Sequence, residues 1–282
     1  MKKTRRPMGG NTAQKAYISL VIAVMYIPIL IMIVYSFNRS RLSSVWDGFT
    51  LNWYRELFRD RSLFSALKNS VVLALLSSFA AAVIGTLGAA GTVRKETRLK
   101  NGRFSNGRFS GVRLRPPAVM EYLAILPVMT PEIILGMVLL AFFSFLGLPF
   151  GMTTLVIAHT SFCIPYVYLL VKARLSGLDK GCMEAARDLG ATETRAFLDI
   201  LLPMVLPAVV SGMLLSFAMS FDDVIISVFV TGVNTNTLPV KIYSQIKTGV
   251  TPKINALCTL LFGFTLLLCL LSAWLSRARD GA

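Results

Sequence analysis

Reactive side chains are scarce in this sequence. It has one histidine, His159, and four cysteines in 282 residues, and only 15% of its residues are charged. A single histidine cannot complete the usual zinc shell, and Cys163, Cys182, Cys258 and Cys269 include no pair at metal-ligand spacing. The cysteines lie in apolar runs or in a polar loop where disulfides are not expected, so they read as small apolar fillers. No G-x-x-x-x-G-K-S/T stretch is present, which removes the phosphate-cradling loop of a P-loop nucleotide site. One histidine, no metal cluster and no reactive cysteine setting leave too few convergent groups for an intramembrane enzyme.

Apolar surface is what the chain has in quantity: 55% of residues are hydrophobic, and the mean hydropathy is +0.65. A helix needs about 20 mostly apolar residues to cross a bilayer. Five uncharged runs meet that length, at 16–38, 69–93, 133–171, 200–221 and 254–276. The third is 39 residues long, enough for two spans, and Gly147, Pro149 and Gly151 break it near its middle. Its first span starts near Met120. The expected fold is therefore all-α and polytopic, with six transmembrane helices at about 16–38, 69–93, 120–146, 152–171, 203–222 and 254–276. The first run follows Lys2, Lys3, Arg5 and Arg6, as a signal peptide would. It exceeds 20 residues, however, and ends in Tyr35, Phe37 and Asn38 without a small-x-small cleavage pattern, so it reads as a retained anchor after a cytoplasmic segment 1–15.

The formal charge of +15 is explained by where the basic residues fall. Of 29 Lys and Arg residues, 20 lie in segments 1–15, 94–115, 172–199 and 277–282, and nine in the intervening ones. The positive-inside bias places both termini in the cytoplasm of a multi-pass inner (plasma) membrane protein, with no nucleic-acid partner implied. The second cytoplasmic loop contains a tandem pentapeptide, NGRFS at 101–105 and 106–110. Its Gly, Asn and basic residues suit a turn-rich loop that meets anionic lipid headgroups.

Several residues carry chemistry into or beside the membrane. The outer segment 39–68 holds Trp46, Phe49, Trp53, Tyr54, Leu57 and Phe58, suited to a short interfacial helix. Two readings of these rings stand open: a headgroup-level aromatic belt, or faces lining the way in for a cation, since Trp and Tyr attract ammonium groups within about 6 Å. In the third span, Pro127, Pro131 and Glu132 predict a bent or locally unwound helix with a carboxylate inside the bilayer. Glu132 lies eleven residues beyond Glu121, or ~16 Å along a straight helix, close to the midplane. It either lines a pathway or pairs with an arginine or with backbone freed by Pro131. His159, in the fourth span, is expected to make a helix-packing hydrogen bond.

Between the fourth and fifth spans runs LDKGCMEAARDLGATETRAFLDILLP, residues 178–203. Asp179 can cap a first helix, Gly190 can end it in the left-handed conformation, and Thr192 can cap a second. Small Ala185 and Ala186 beside Glu184 and Arg187 form a surface that another protein could approach closely.

Glu184, Ala185, Ala186, three residues, Gly190, nine residues, Ile200, one residue, Leu202 and Pro203 match the EAA motif of importer permeases at every fixed position. The chain thus resembles the integral membrane subunits of binding-protein-dependent ABC importers, which implies a type I (MetI-like) permease fold. It also implies that Glu184, Ala185, Ala186 and Gly190 dock a cytoplasmic ATPase. Over nearly its whole length the sequence further resembles the spermidine/putrescine permeases of PotC type, in SFNRSRL, NWY (52–54), TPEIILG (130–136), AHTSFCIPYV (158–167), SFDDVIISVFVTG (220–232) and LPVKIYSQIKTGVTPKINAL (238–257). The tandem NGRFS loop departs from that pattern. The partners this implies are a second, PotB-like permease, two PotA-like ATPase subunits, a periplasmic PotD-like receptor and membrane lipid. ATP and Mg would be bound by the ATPase, with no cofactor in this chain.

A polyamine needs carboxylates for its ammonium groups, aromatic faces and apolar walls. Asp222 and Asp223 lie about 20 residues beyond Pro203, or ~30 Å along a helix, near the outer end of the fifth span. Adjacent acids on a helix point about 100° apart, so one of the two faces a pathway; the alternative for it is a helix-end carboxylate paired with Lys241 or Lys247. The resemblance selects Asp222 for the pathway, and it also associates Trp53 and Glu193 with transport. Trp53 would act outside, and Glu193 inside, in coupling to the ATPase at the first turn of a helix. Two rivals remain: an importer permease for another solute, such as ferric ion, phosphonate or thiamine, which would share the docking motif, and an independent secondary transporter, which would have no need of it.

Overall fold

The computed structural model describes residues 12–40, 45–103, 116–178, 185–186, 188 and 190–280. The expected cap at Asp179 and the docking residue Glu184 lie outside the described residues. The architecture is helical. Its main elements are α1 (Thr12–Tyr35), α2 (Asn52–Arg59), α3 (Arg61–Arg103), α4 (Pro116–Met129), α5 (Glu132–Phe145), α6 (Met152–Ser176), α7 (Leu202–Asp222), α8 (Ile225–Val230), α9 (Leu238–Thr248) and α10 (Pro252–Asp280). Among the described residues there is no strand, only an isolated bridge between Asn38 and Phe49. The chain divides into two compact units, one formed within Met1–Arg61 and Ser244–Ala282, the other by Ser62–Tyr243.

Four helices, covering Gln14–Tyr35, Arg61–Val93, Met152–Ser176 and Ala196–Asp222, are long and apolar enough to cross a bilayer. A fifth candidate is the bent pair Glu121–Met129 and Glu132–Phe145, and α10 contributes a further apolar stretch, Pro252–Leu267. The six runs expected from sequence thus fall on α1, α3, the α4–α5 pair, α6, α7 and α10. In the third the axis turns by 110° between α4 and α5, far beyond an ordinary proline kink. Pro131 has no N–H to donate back into α4, disfavours a helical Thr130, and itself adopts an extended ψ of 132° ahead of Glu132. The straight ~16 Å rise expected from Glu121 to Glu132 therefore fails after Met129, because it presumes an unbroken helix.

The larger unit is held together by close approach of small residues. On α3, Ser77, Ala81, Gly85 and Ala89 recur every fourth position and so share one face. A Cβ on Gly85 would stand 2.9 Å from Val167 Cβ and 3.1 Å from the Ile164 carbonyl on α6, and one on Gly212 of α7 would stand 3.0 Å from Val167 Cα. Val167 is clasped between two glycines, the packing that membrane helices use when lipid offers no hydrophobic drive. Around this point Leu73, Phe143, Leu155, Phe162, Tyr168 and Ile226 form one buried cluster.

In the smaller unit, α2 follows a loop pinned by Asn38. The Asn38 side chain donates to the Val45 carbonyl at 2.7 Å and accepts from the Asp47 amide at 2.9 Å. Phe37 stacks on Phe49 at 5.2 Å and tilts against Tyr54 at 5.3 Å, while Tyr35 meets Trp46 edge-on at 6.3 Å. Of the aromatics expected on one interfacial helix, only Trp53, Tyr54 and Phe58 lie on α2; Trp46 and Phe49 belong to the preceding loop, which Asn38 pins at Val45 and Asp47.

Candidate functional site

Two carboxylates of the larger unit stand exposed on otherwise apolar helices. Glu132 opens α5, where the helix dipole favours an acid. Its charge acts on the phenol of Tyr166 on α6, which is half-buried. Asp222 is the last residue of α7. Neither Glu132 nor Asp222 has a hydrogen-bond or ion-pair partner among the described residues, and no such contact joins the two. Glu132 is therefore not paired with an arginine there, and Asp222 is not paired with Lys241 or Lys247; Lys241 Nζ donates to Ser62 instead.

Two further acids of the larger unit are engaged. Glu121 pairs with Lys172 at 2.6 Å. Asp223 is buried at 9% exposure. Its Oδ1 accepts the Ile226 amide at 3.2 Å and its Oδ2 the Ser227 amide at 2.8 Å, so it caps α8. Its Oδ2 also lies 3.5 Å from His159 Nε2. The adjacent acids thus separate as the 100° spacing requires, Asp223 turned in and Asp222 turned out.

His159 is fully buried between helices. Its Nδ1 is 2.8 Å from Ser220 Oγ on α7 and its Nε2 is 3.0 Å from Ser227 Oγ on α8. Ser220 in turn meets Ser77 of α3 at 2.9 Å. The helix-packing hydrogen bond expected of this histidine is present twice over. Sequence reasoning passed over Tyr166, Ser220 and Ser227, although AHTSFCIPYV and SFDDVIISVFVTG contain all three; a polar residue at helical spacing in an apolar run was the available signal.

Trp53 belongs to the smaller unit. Its indole N–H donates to the Asn38 carbonyl at 2.7 Å, which fixes the edge of the ring and leaves it partly exposed. In the segment between α6 and α7, Gly190 takes φ +83°, and the Ala191 amide reaches back to the Ala186 carbonyl at 3.0 Å, closing a Schellman-type helix end. Thr192 Oγ1 accepts the Arg195 amide at 3.4 Å, capping the turn Glu193–Arg195. A π-helical stretch, Ala196–Leu201, then leads into α7. Ala185 and Gly190 are exposed and Ala186 is buried.

A helical scaffold of membrane-length spans, with unpaired acids at helix ends and a small-residue helix, turn and cap between two spans, defines a multi-pass membrane permease subunit. The chain belongs to the binding-protein-dependent transport system inner membrane component family, whose sequence model matches residues 107–280. It is 39% identical over 267 residues to the spermidine/putrescine transport system permease protein PotC of Haemophilus influenzae, covering 95% of this chain and 97% of that one. It is 40% identical over 245 residues to the putrescine transport system permease protein PotI of Escherichia coli K12, covering 85% and 82%. The fold matches a chain in the crystal structure of a bacterial ABC transporter involved in the import of the acidic polysaccharide alginate, with TM-score 0.66 at 12% identity over 93% of this chain and 95% of that one. The fold is accordingly the type I ABC importer permease fold.

Proposed function

We infer that this chain is a permease subunit of an ATP-driven polyamine importer, taking spermidine or putrescine. It would form the pathway with a second permease, be driven by two copies of a separate cytoplasmic ATPase and be loaded by a periplasmic receptor. Both termini would face the cytoplasm, and ATP and Mg would bind the ATPase. The observation that carries this reading is the likeness to PotC along 95% of the chain. The chemistry agrees with it. Exposed, unpaired Glu132 and Asp222 supply the charge an ammonium chain needs, while Tyr166 offers an aromatic face and the surrounding apolar side chains suit methylenes. Trp53 presents a ring face on the outer side, and Ala185, Gly190 and Glu193 stand on the segment that would meet the ATPase. Unpaired acids in apolar spans are rare and usually kept for function.

The deciding experiment is uptake of radiolabelled spermidine and putrescine by proteoliposomes holding this chain, its permease partner, the ATPase and the receptor, with and without internal ATP. Uptake that needs both ATP and receptor is expected. ATPase association without uptake of either polyamine would overturn the substrate while leaving the permease role.

A further inference from the structure

The elbow between α7 and α8, beside Asp222, is held by a buried polar chain that runs across four helices. Ser77 on α3, Ser220 on α7, His159 on α6 and Ser227 on α8 follow one another at 2.9, 2.8 and 3.0 Å. The chain ends at Asp223, which accepts the Ile226 and Ser227 amides in the first turn of α8. Ser77 donates to the Leu73 carbonyl of its own helix at 2.8 Å, so one assignment satisfies the chain: Ser220 donates to Ser77, His159 Nδ1–H donates to Ser220, and Nε2 accepts from Ser227. The helix breaks at Asp223, whose ψ of 127° is extended, so the residue that ends α7 is fixed by the same contacts that start α8. Asp222, one residue earlier, has no partner of its own among the described residues.

We propose that His159 is a positioning residue for Asp222: by bridging Ser220 on α7 to Ser227 and Asp223 on α8 it locks the elbow and so holds the Asp222 carboxylate turned outward. This rests on the reading that Asp222 lines the polyamine path. His159 itself touches no substrate. A packing role alone would be met by any side chain of similar volume, whereas a lock requires the polar contact on the Nε2 side.

The test uses the full chain assembled with its partner subunits, comparing His159→Gln, which can still reach Ser227 and Asp223, with His159→Leu, which cannot. Amide hydrogen exchange in residues 225–230 is expected to quicken about tenfold in His159→Leu, the loss expected when a buried hydrogen-bonding group is left without its partner, and to stay within about twofold of the parent in His159→Gln. In uptake assays His159→Leu is expected to raise KM for spermidine about fivefold or more, with the maximal rate changed much less, since an interaction that orders the bound substrate is lost. Should His159→Leu fail to assemble, Ser227→Ala removes the same contact with little volume change and is expected to quicken exchange about threefold. Unchanged exchange in residues 225–230, or equal effects of Gln and Leu, overturns the lock. Faster exchange with an unchanged KM, where Asp222→Asn does impair uptake, overturns the positioning. If Asp222→Asn transports normally, the pathway reading fails instead, and exchange alone then decides for or against the lock.

Discussion

α6 and α1 have nearly the same length and the same need to cross a bilayer, yet their surroundings are opposite. In the apolar window of α6, 61% of residues are buried, against none in the window of α1. α6 packs through specific atoms: Val167 between two glycines, Tyr168 Oη donating to Thr92 at 3.2 Å, and His159 bridging α7 and α8. α1 presents Tyr17, Leu20, Met25 and Leu30 at half exposure or more. A hydrophobic run therefore fixes that a helix enters the membrane but not what it touches there.

The comparison breaks most visibly at its glycines. Gly85→Leu or Gly212→Leu should abolish the folded chain, since even a bare Cβ at Gly85 comes within 2.9 Å of Val167 and at Gly212 within 3.0 Å of its Cα, and overpacking of this kind costs about 3 kcal/mol or more. The monodisperse fraction recovered after detergent extraction measures it, and parent-like recovery would mean that α3, α6 and α7 do not approach so closely.

Next in size is the split between the neighbouring acids. Asp223→Ala leaves two buried amides without their acceptor and strips His159 of its carboxylate neighbour, a loss of about 2 kcal/mol. Asp222→Ala removes an exposed carboxylate with no partner among the described residues and should change thermal stability by less than about 0.5 kcal/mol while cutting uptake. If both substitutions lower the melting temperature equally, the division into a capping and a free acid is wrong.

How much of this was legible in the sequence follows the same line. Run length gave the helices, the resemblance to the EAA motif gave the family, and the Gly190 stop and Thr192 cap followed from local chemistry, because a left-handed residue and an N-cap are decided within a few residues. The turn of 110° between α4 and α5 was legible only as a bend, since Pro127 and Pro131 say that hydrogen bonds are lost but not where the freed axis goes. The network from Ser77 through His159 to Ser227 and Asp223 joins residues up to 150 positions apart, and nothing in a single sequence sets those distances. The stripe Ser77, Ala81, Gly85, Ala89 was present at helical spacing and would have marked the buried face of α3.

A smaller effect tests the segment between α6 and α7. Gly190→Ala forces a Cβ into φ +83°, costing about 1 to 2 kcal/mol locally. Open space surrounds the site, so the loss should appear as weaker ATPase association in a pull-down rather than as failed insertion. Trp53→Phe is milder still: it deletes the hydrogen bond from α2 to the Asn38 carbonyl, about 1 kcal/mol, and keeps a ring. If Trp53 serves through its face, Phe retains much of the uptake and Trp53→Leu little. Equal uptake in both would leave only the pinning role.

The smallest expected effect is on α1, and it is informative because of its size. Leu20→Ala removes three heavy atoms from a side chain 62% exposed. In lipid that surface meets acyl chains before and after the change, so the isolated chain should lose less than about 0.5 kcal/mol, against the ~2 to 5 kcal/mol of the same truncation in a packed core such as Leu155. Melting curves of both variants in nanodiscs give the ratio. Repeating them with the partner permease present separates two meanings of an uncovered helix. If Leu20→Ala remains silent, α1 faces lipid in the assembly as well. If a loss appears only in the complex, the bare face is an interface, and the contrast between α1 and α6 belongs to the single chain rather than to the transporter.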